Sequence, residues 1–463
     1  MSRADDLHSF ITETHFIRKQ PDFGIMAEIE LSPHGHQVIP TKIRTMKTNT
    51  AILLLVSSPV LCAGTPEVTP SPAPAEQWIT PTIDIRARYE FGDTDGLDQS
   101  HAFTFRERLG LKTKAWNGFS AFVEGEFSQA AIDDFNANAG PKADPYDPAN
   151  IVISDPETNE LNQGFIQYEG FETVAKAGRQ RIIYDNAAFI GNVGWRQNEQ
   201  TYDAISFSNK SIDGLTFNYA YLNQVNRIFG SDADSPIGYK PGFTNVEDIG
   251  TSSHLFNASY AGIEGLTLGT YAYVMNFEDV SAWDNNTFGL SAKGKVSDIT
   301  LYGELAWQDK AGTLGEDEAL YAHATATKAF GPQALTLGVE HLDAGFKTPL
   351  ATVHAFNGFA DVTDAARISG AHNGLTDLYL SHTMPIFCGI KWMNVLHALG
   401  DNAISTGYGW EYDSVLTKKF DDNFTAIAKV AFFESEGDDY TGNTKVDSLP
   451  TTARFSVELN YTF

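Results

Sequence analysis

Seven basic residues early in the chain stand on short alternating segments, most of them two apart: Arg86 and Arg88, Arg106 and Arg108 with Lys112, and Arg179 with Arg181. In an extended chain, residues two apart project from one side, so each group is a row of cations. A row of guanidiniums offers bidentate partners to carboxylates, and the chemistry it supports is the binding and steering of anions. Acids on neighbouring segments, Asp84, Glu124 and Glu126, could instead neutralise the row and make it the cement of a packed interior. Eleven of the 26 basic residues beyond residue 64 fall between Arg86 and Arg196. No catalytic pattern competes with this reading, since there is no phosphate-binding Gly loop, CxxC pair or HExxH helix. Ser381 and His382 are adjacent, and neighbours in a strand point to opposite faces, so they cannot act together as nucleophile and base. His254, His341 and His397 read as strand residues without a metal. The expectation is a protein that is not an enzyme and has no cofactor.

The elements that carry these residues have period two. In Ile79 to Phe91, Ile83, Ile85, Ala87, Tyr89 and Phe91 share one face, and Asp84, Arg86, Arg88 and Glu90 the other. Phe103 to Ala115 repeats the pattern with Arg106, Arg108, Lys112 and Lys114 on the polar side, and only Glu107 breaks it. The last ten residues, RFSVELNYTF, alternate Phe455, Val457, Leu459, Tyr461 and Phe463 with Ser456, Glu458, Asn460 and Thr462. About 18 such segments follow one another, the pattern of an all-β transmembrane antiparallel barrel. Their connections alternate between tight turns, such as Trp116-Asn117-Gly118 and Ser297-Asp298, and long polar stretches, such as 131–160, 185–201, 226–253 and 345–374. A soluble sandwich has no reason to keep that alternation, whereas an outer-membrane barrel has short periplasmic turns and long external loops. An even strand number leaves both ends on the periplasmic side, where Phe463 would engage the barrel-assembly machinery. The apolar face would meet outer-membrane lipid and lipopolysaccharide, and the polar face would line the lumen.

Only residues 51–61 form a sustained apolar run, shorter than the roughly 20 residues of a spanning helix. Met46-Lys47 precedes it and Ala63-Gly64 follows, so residues 46–64 read as a secretory signal peptide, residues 1–45 as a non-native upstream leader and residues 65–78 as a Pro-rich linker. The barrel is expected over residues 79–463, and removal of Cys62 with the signal would leave Cys388 without an intrachain partner. No plug domain fits between Thr65 and Ile79. The net charge of -27 arises wholly after residue 64, because six basic residues and six acids cancel before it. That balance excludes general nucleic-acid binding. The acids gather in loop segments, among them Asp133-Asp134, Asp144, Asp147, Asp232, Asp234, Glu316-Asp317-Glu318, Glu436, Asp438 and Asp439, where they are solvated or bridge divalent cations.

Ala177 to Ser208 reads AGRQRIIYDNAAFIGNVGWRQNEQTYDAISFS and resembles the alginate-export family of outer-membrane β-barrels. HAFNGFAD (His354 to Asp361) and NGLTDLYLSHT (Asn373 to Thr383) look like a second segment of that family. The resemblance implies a single-chain barrel of 18 strands whose arginine-lined pore carries a polyuronate outward. It also implies that Arg179, Arg181 and Arg196 lie on the pore wall or constriction, with Asp185 and Glu199 as counter-charges. The partners expected on this basis are anionic carbohydrates or small anionic solutes. The alternative is a general carbohydrate or ion porin without polyuronate preference. Trp195 is expected in the aromatic belt at the membrane surface.

Overall fold

A computed structural model describes residues 77–463 except 143, 234–247, 279, 311–316, 371–372, 403–406 and 437–448. The leader, the signal peptide, nearly all of the linker and the acids Asp234, Glu316, Asp438 and Asp439 lie outside the described residues. The strands are β1 (Ile79–Thr94), β2 (Ser100–Thr113), β3 (Phe119–Asp134), β4 (Thr158–Gly170), β5 (Thr173–Gln180) and β6 (Thr201–Asn209). Then come β7 (Leu215–Asn226), β8 (Asp248–Ile263), β9 (Leu266–Met275), β10 (Asn285–Val296), β11 (Ile299–Asp309) and β12 (Glu318–Phe330). The last six are β13 (Gln333–Leu342), β14 (Leu375–Pro385), β15 (Ile390–Gly400), β16 (Gly407–Lys419), β17 (Phe424–Ser435) and β18 (Thr452–Thr462). They form one antiparallel 18-stranded sheet in chain order, and β1 pairs with both β2 and β18, so the sheet closes into a barrel. The seam is sealed down to the final residue, where Ile83 and Phe463 exchange backbone hydrogen bonds of 2.9 and 2.8 Å.

Alternation decides which side faces out. Ile85, Leu109, Val123, Ile166, Ile205, Leu305, Leu337, Leu396 and Val457 are exposed on the exterior, a surface that hydrocarbon would cover. Glu107 shares that face, opposite Ile85 and Phe127. At one rim the connections are tight; the Phe171-Glu172 turn has φ of 53° and 55°, the left-handed pair that suits the twist of a two-residue hairpin. At the other rim they are long, and three of them fold into the barrel: the second, L2 (135–157), the third, L3 (181–200), and the seventh, L7 (343–374).

The interior of the long-loop half is consequently a core. Inward-facing Tyr271, Tyr273, Tyr321, Leu342, Tyr408 and Phe433 pack with Phe189 and Ile190 of L3 and Phe346 and Leu350 of L7. L7 also contains the short helix α1 (Asp364–Ser369), ended by Gly370 at φ 70°.

Every expected strand has its counterpart. The largest differences lie at the long-loop rim, where β8 begins at Asp248 instead of His254, β3 runs on to Asp134, and β5 stops at Gln180 instead of Tyr184. Strands that rise above the apolar belt lose the polar-apolar contrast by which they are recognised. β5 ends early because Gly178 takes φ 124° and the Gln163 side chain accepts a hydrogen bond from the Arg181 N–H.

Candidate functional site

The arginines of β1 and β2 do face the lumen. Arg86 and Arg106 are direct cross-strand partners, an arrangement of like charges that requires anions around it. The register supplies them: Asp84 lies opposite Arg108, Glu126 opposite Arg108 on the other side, and Glu458 opposite Arg88. Arg106 donates to Asp84 and Arg108 to Glu126. Arg88, Arg106, Arg108 and Arg196 are only 1–4 % exposed, so these guanidiniums are buried in their own ion pairs.

Their second task is to hold the inserted loops. Arg86 donates to three successive carbonyls of L3, those of Gly194 (3.1 Å), Trp195 (2.9 Å) and Arg196 (2.9 Å). Arg88 donates to the Trp195 carbonyl and to Asp155 of L2. Arg196, carried by L3 itself, pairs with Glu90 of β1 at 3.2 Å and with Asp361 of L7 at 3.3 Å. Arg454 of β18 donates to the Ala360 carbonyl of L7 (2.9 Å), the Val152 carbonyl of L2 (3.1 Å) and Glu90 (3.2 Å). Arg454 escaped the sequence reading, although the alternation of RFSVELNYTF puts it on the polar face with Ser456 and Glu458.

L3 and L7 meet at an aromatic stack. The Trp195 and His354 rings are 3.5 Å apart at 16°, and Phe359 stacks on the imidazole at 4.8 Å. Trp195 therefore lies inside the barrel and not in the aromatic belt. His354 Nδ1 donates to Asp361 at 2.7 Å, and its Nε2 accepts from Lys429 of β17 at 3.1 Å. Burial pushes the imidazole down to about 4 against the pull of the Asp361 carboxylate, and the Lys429 ammonium adds to the depression.

The far wall is acidic. Glu340 of β13 takes both prongs of Arg367 of α1 at 2.9 Å each, and the same guanidinium donates to Asn357 Oδ1 at 2.7 Å. Glu411 of β16 accepts the Ala360 N–H at 2.7 Å and Asp413 the Phe359 N–H at 3.2 Å. His397 of β15 sits 2.8 Å from Asp377 and 3.5 Å from Asp413. Gly358 must be glycine here: its φ is 97°, and an added Cβ would stand 2.3 Å from the Glu411 carboxyl carbon.

The other expected site residues divide. Arg181 pairs with Glu199 through Nε at 2.7 Å and remains 35 % exposed. Against the cost of its burial, Arg108 and Arg181 hold the Glu199 carboxyl down to about 2. Lys112 shares the inward face of Arg106 and Arg108 and is exposed. Asp185 accepts from Asn257 at 2.7 Å and is not a counter-charge of the expected arginines in any contact observed here. Arg179 departs furthest from expectation, because its neighbour Gln180 occupies the inward face and Arg179 points outward, bidentate to Asp203 at 2.8 and 3.1 Å. Ser381 and His382 point to opposite faces, His382 bonding Gln333 at 3.0 Å.

No protein-family model matches the chain, and no curated protein matches it. Solved structures do. Acinetobacter baumannii OccAB3 superposes with a TM-score of 0.61 at 11 % identity, covering 83 % of this chain and 99 % of its own. Pseudomonas aeruginosa OpdO follows with 0.60 at 12 % identity over 83 % and 97 %. The P. aeruginosa outer membrane protein OpdK gives 0.59 at 12 % identity over 83 % and 99 %. The shared property at such identities is the fold, a closed 18-strand barrel.

Proposed function

We propose that the chain is an outer-membrane channel of the alginate-export type that passes small anionic sugars or oligosaccharides. The observation that carries this reading is the L3–L7 junction. The two stretches that resemble alginate-export proteins, one in β5, L3 and β6 and one in L7 and β14, touch each other there through Trp195 and His354. The interior that surrounds them carries cations on β1, β2, β18 and L3. The apolar exterior and the barrel neighbours support an outer-membrane location, with the long loops outside the cell. Filling of the long-loop half by L2, L3 and L7 favours short anionic solutes over a passing polymer chain.

The pairing of most lumen arginines with acids favours a second reading, a general carbohydrate or ion porin whose selectivity is weak. Reversal potentials of the purified protein in planar bilayers under a KCl gradient separate the two. The first reading expects anion preference and block by short uronate oligomers. A cation-preferring, unblocked pore supports the second, and absence of any conductance rejects both.

A further inference from the structure

Below L3, on the inward faces of β8 to β12, lies a cavity of about 600 Å³ with a hydroxyl-bearing side chain on every one of these strands, Thr267 supplying it on β9 beside Gly269. Ser259, Thr267, Ser291, Thr300 and Thr325 line it, and none of these five hydroxyls makes a hydrogen bond to another described residue. The register makes them a continuous lattice across neighbouring strands. Thr267 stands opposite Lys293, Lys293 opposite Tyr302, Tyr302 opposite Thr325, and Ser259 and Ser291 flank Gly269 on either side. Gly269 keeps the floor open, since a Cβ there would collide with Ser291 Oγ at 2.3 Å. Asn186, Tyr302, His323 and Thr327 share the lining with two charged groups, Lys293 and Asp185. Lys293 has no ion-pair or hydrogen-bond partner among the described residues, in contrast to the buried arginines of the opposite wall. Asp185, at the start of L3, offers its Oδ1, while its Oδ2 accepts from Asn257.

We propose that this cavity is a binding site for a single polyhydroxylated carboxylate, a sugar acid, in the lumen of the channel. The inference rests on the channel reading for its biological sense, though not for its chemistry. A free ammonium facing a polar cavity binds a carboxylate as a point charge. Serine and threonine hydroxyls both donate and accept and rotate to suit, so a lattice of them satisfies a ring of sugar hydroxyls in more than one orientation. Asp185 accepts one further sugar hydroxyl. A volume of about 600 Å³ is in the range of small-molecule sites. The free cation that a solute meets here is Lys293, not the arginine row, whose members are held by their own acids and by the loop carbonyls.

The test uses D-galacturonate, with D-galactose and acetate as controls, added to the full chain in planar bilayers; equilibrium binding to the detergent-solubilised protein is measured in parallel. The expected result is reversible block and binding by galacturonate, both weaker for galactose, which lacks the carboxylate, and for acetate, which lacks the hydroxyls. Lys293→Gln should weaken galacturonate about tenfold or more, the worth of a charge-assisted hydrogen bond. Lys293→Arg should restore much of the loss. Thr300→Val with Thr325→Val, near-isosteric changes, should weaken galacturonate and leave acetate unaltered. Galacturonate no better than acetate, or unaffected by Lys293→Gln, overturns the site. Binding without any conductance keeps the site and rejects the channel reading; conductance without Lys293-dependent binding does the reverse.

Discussion

Replacing Arg367 by Met should loosen L7 without unfolding the barrel. The guanidinium is fully buried, takes both oxygens of Glu340 at 2.9 Å and joins Asn357 at 2.7 Å. Methionine retains the apolar stem and leaves the Glu340 carboxylate, 2 % exposed, facing only Tyr321 Oη at 2.7 Å and the Asn357 amide at 2.8 Å. Breaking a buried pair from one side costs about 3–5 kcal/mol. At 1.4 kcal/mol per decade, the released form of L7 gains roughly two to three and a half orders of magnitude in population. The strand ladder makes no use of Arg367, so the heat-modifiable mobility of the folded barrel on gels should be unchanged. Limited proteolysis within L7 should accelerate by a comparable factor, and single-channel records should become noisier and larger. The double variant Arg367→Met with Glu340→Gln removes the orphaned charge and should recover much of the protection. Equal proteolysis in wild type and Arg367→Met, or a double variant no better protected than the single, would refute the reasoning.

Three further outcomes are expected. His354 has a folded-state pKa of about 4, below the unfolded value near 6.5, so its contribution to the L3–L7 junction is complete above about pH 6.5. That contribution is lost as pH falls from 6.5 toward 4, by up to about 3 kcal/mol, because protonation favours the released loop. Conductance noise should rise over this window in wild type and stay flat in His354→Gln. Gly358→Ala should destabilise the L7 segment by about 1–3 kcal/mol through its φ of 97° and the clash with Glu411, seen as faster proteolysis in L7; unchanged proteolysis would count against the acidic cradle. Arg181→Gln, at the half-exposed cation of L3, should move reversal potentials toward cation preference, whereas Arg106→Gln, buried against Asp84, should move them little.

The barrel was legible because period two repeats eighteen times and because tight and long connections alternate, both local signals. Inward orientation of Arg86, Arg88, Arg106 and Arg108 followed from the same alternation. Arg179 was misread because its charge was weighed above its parity: it shares the face of Ala175 and Ala177, and only the cross-strand Asp203 makes that outward position tolerable. The larger gap concerns what the arginines do. Asp84 and Glu126, the partners of Arg106 and Arg108, were within reach of the pattern. Arg86, Arg88 and Arg196, however, hold carbonyls of Gly194 to Arg196 and carboxylates of Asp155 and Asp361, more than sixty residues away along the chain, and no local pattern announces such contacts. Nor does the composition of L7 reveal that Arg367 and Glu340 meet, since that pair exists only once the loop has turned inward.

The most direct measurement is the single-channel conductance of Arg86→Gln with Arg88→Gln against wild type. If these guanidiniums anchor L3 and L2 inside the barrel, as their bonds to Gly194, Trp195, Arg196 and Asp155 require, conductance rises as the loops are released. A fall in conductance with loss of anion preference would contradict that account and make the pair a row of binding rungs instead.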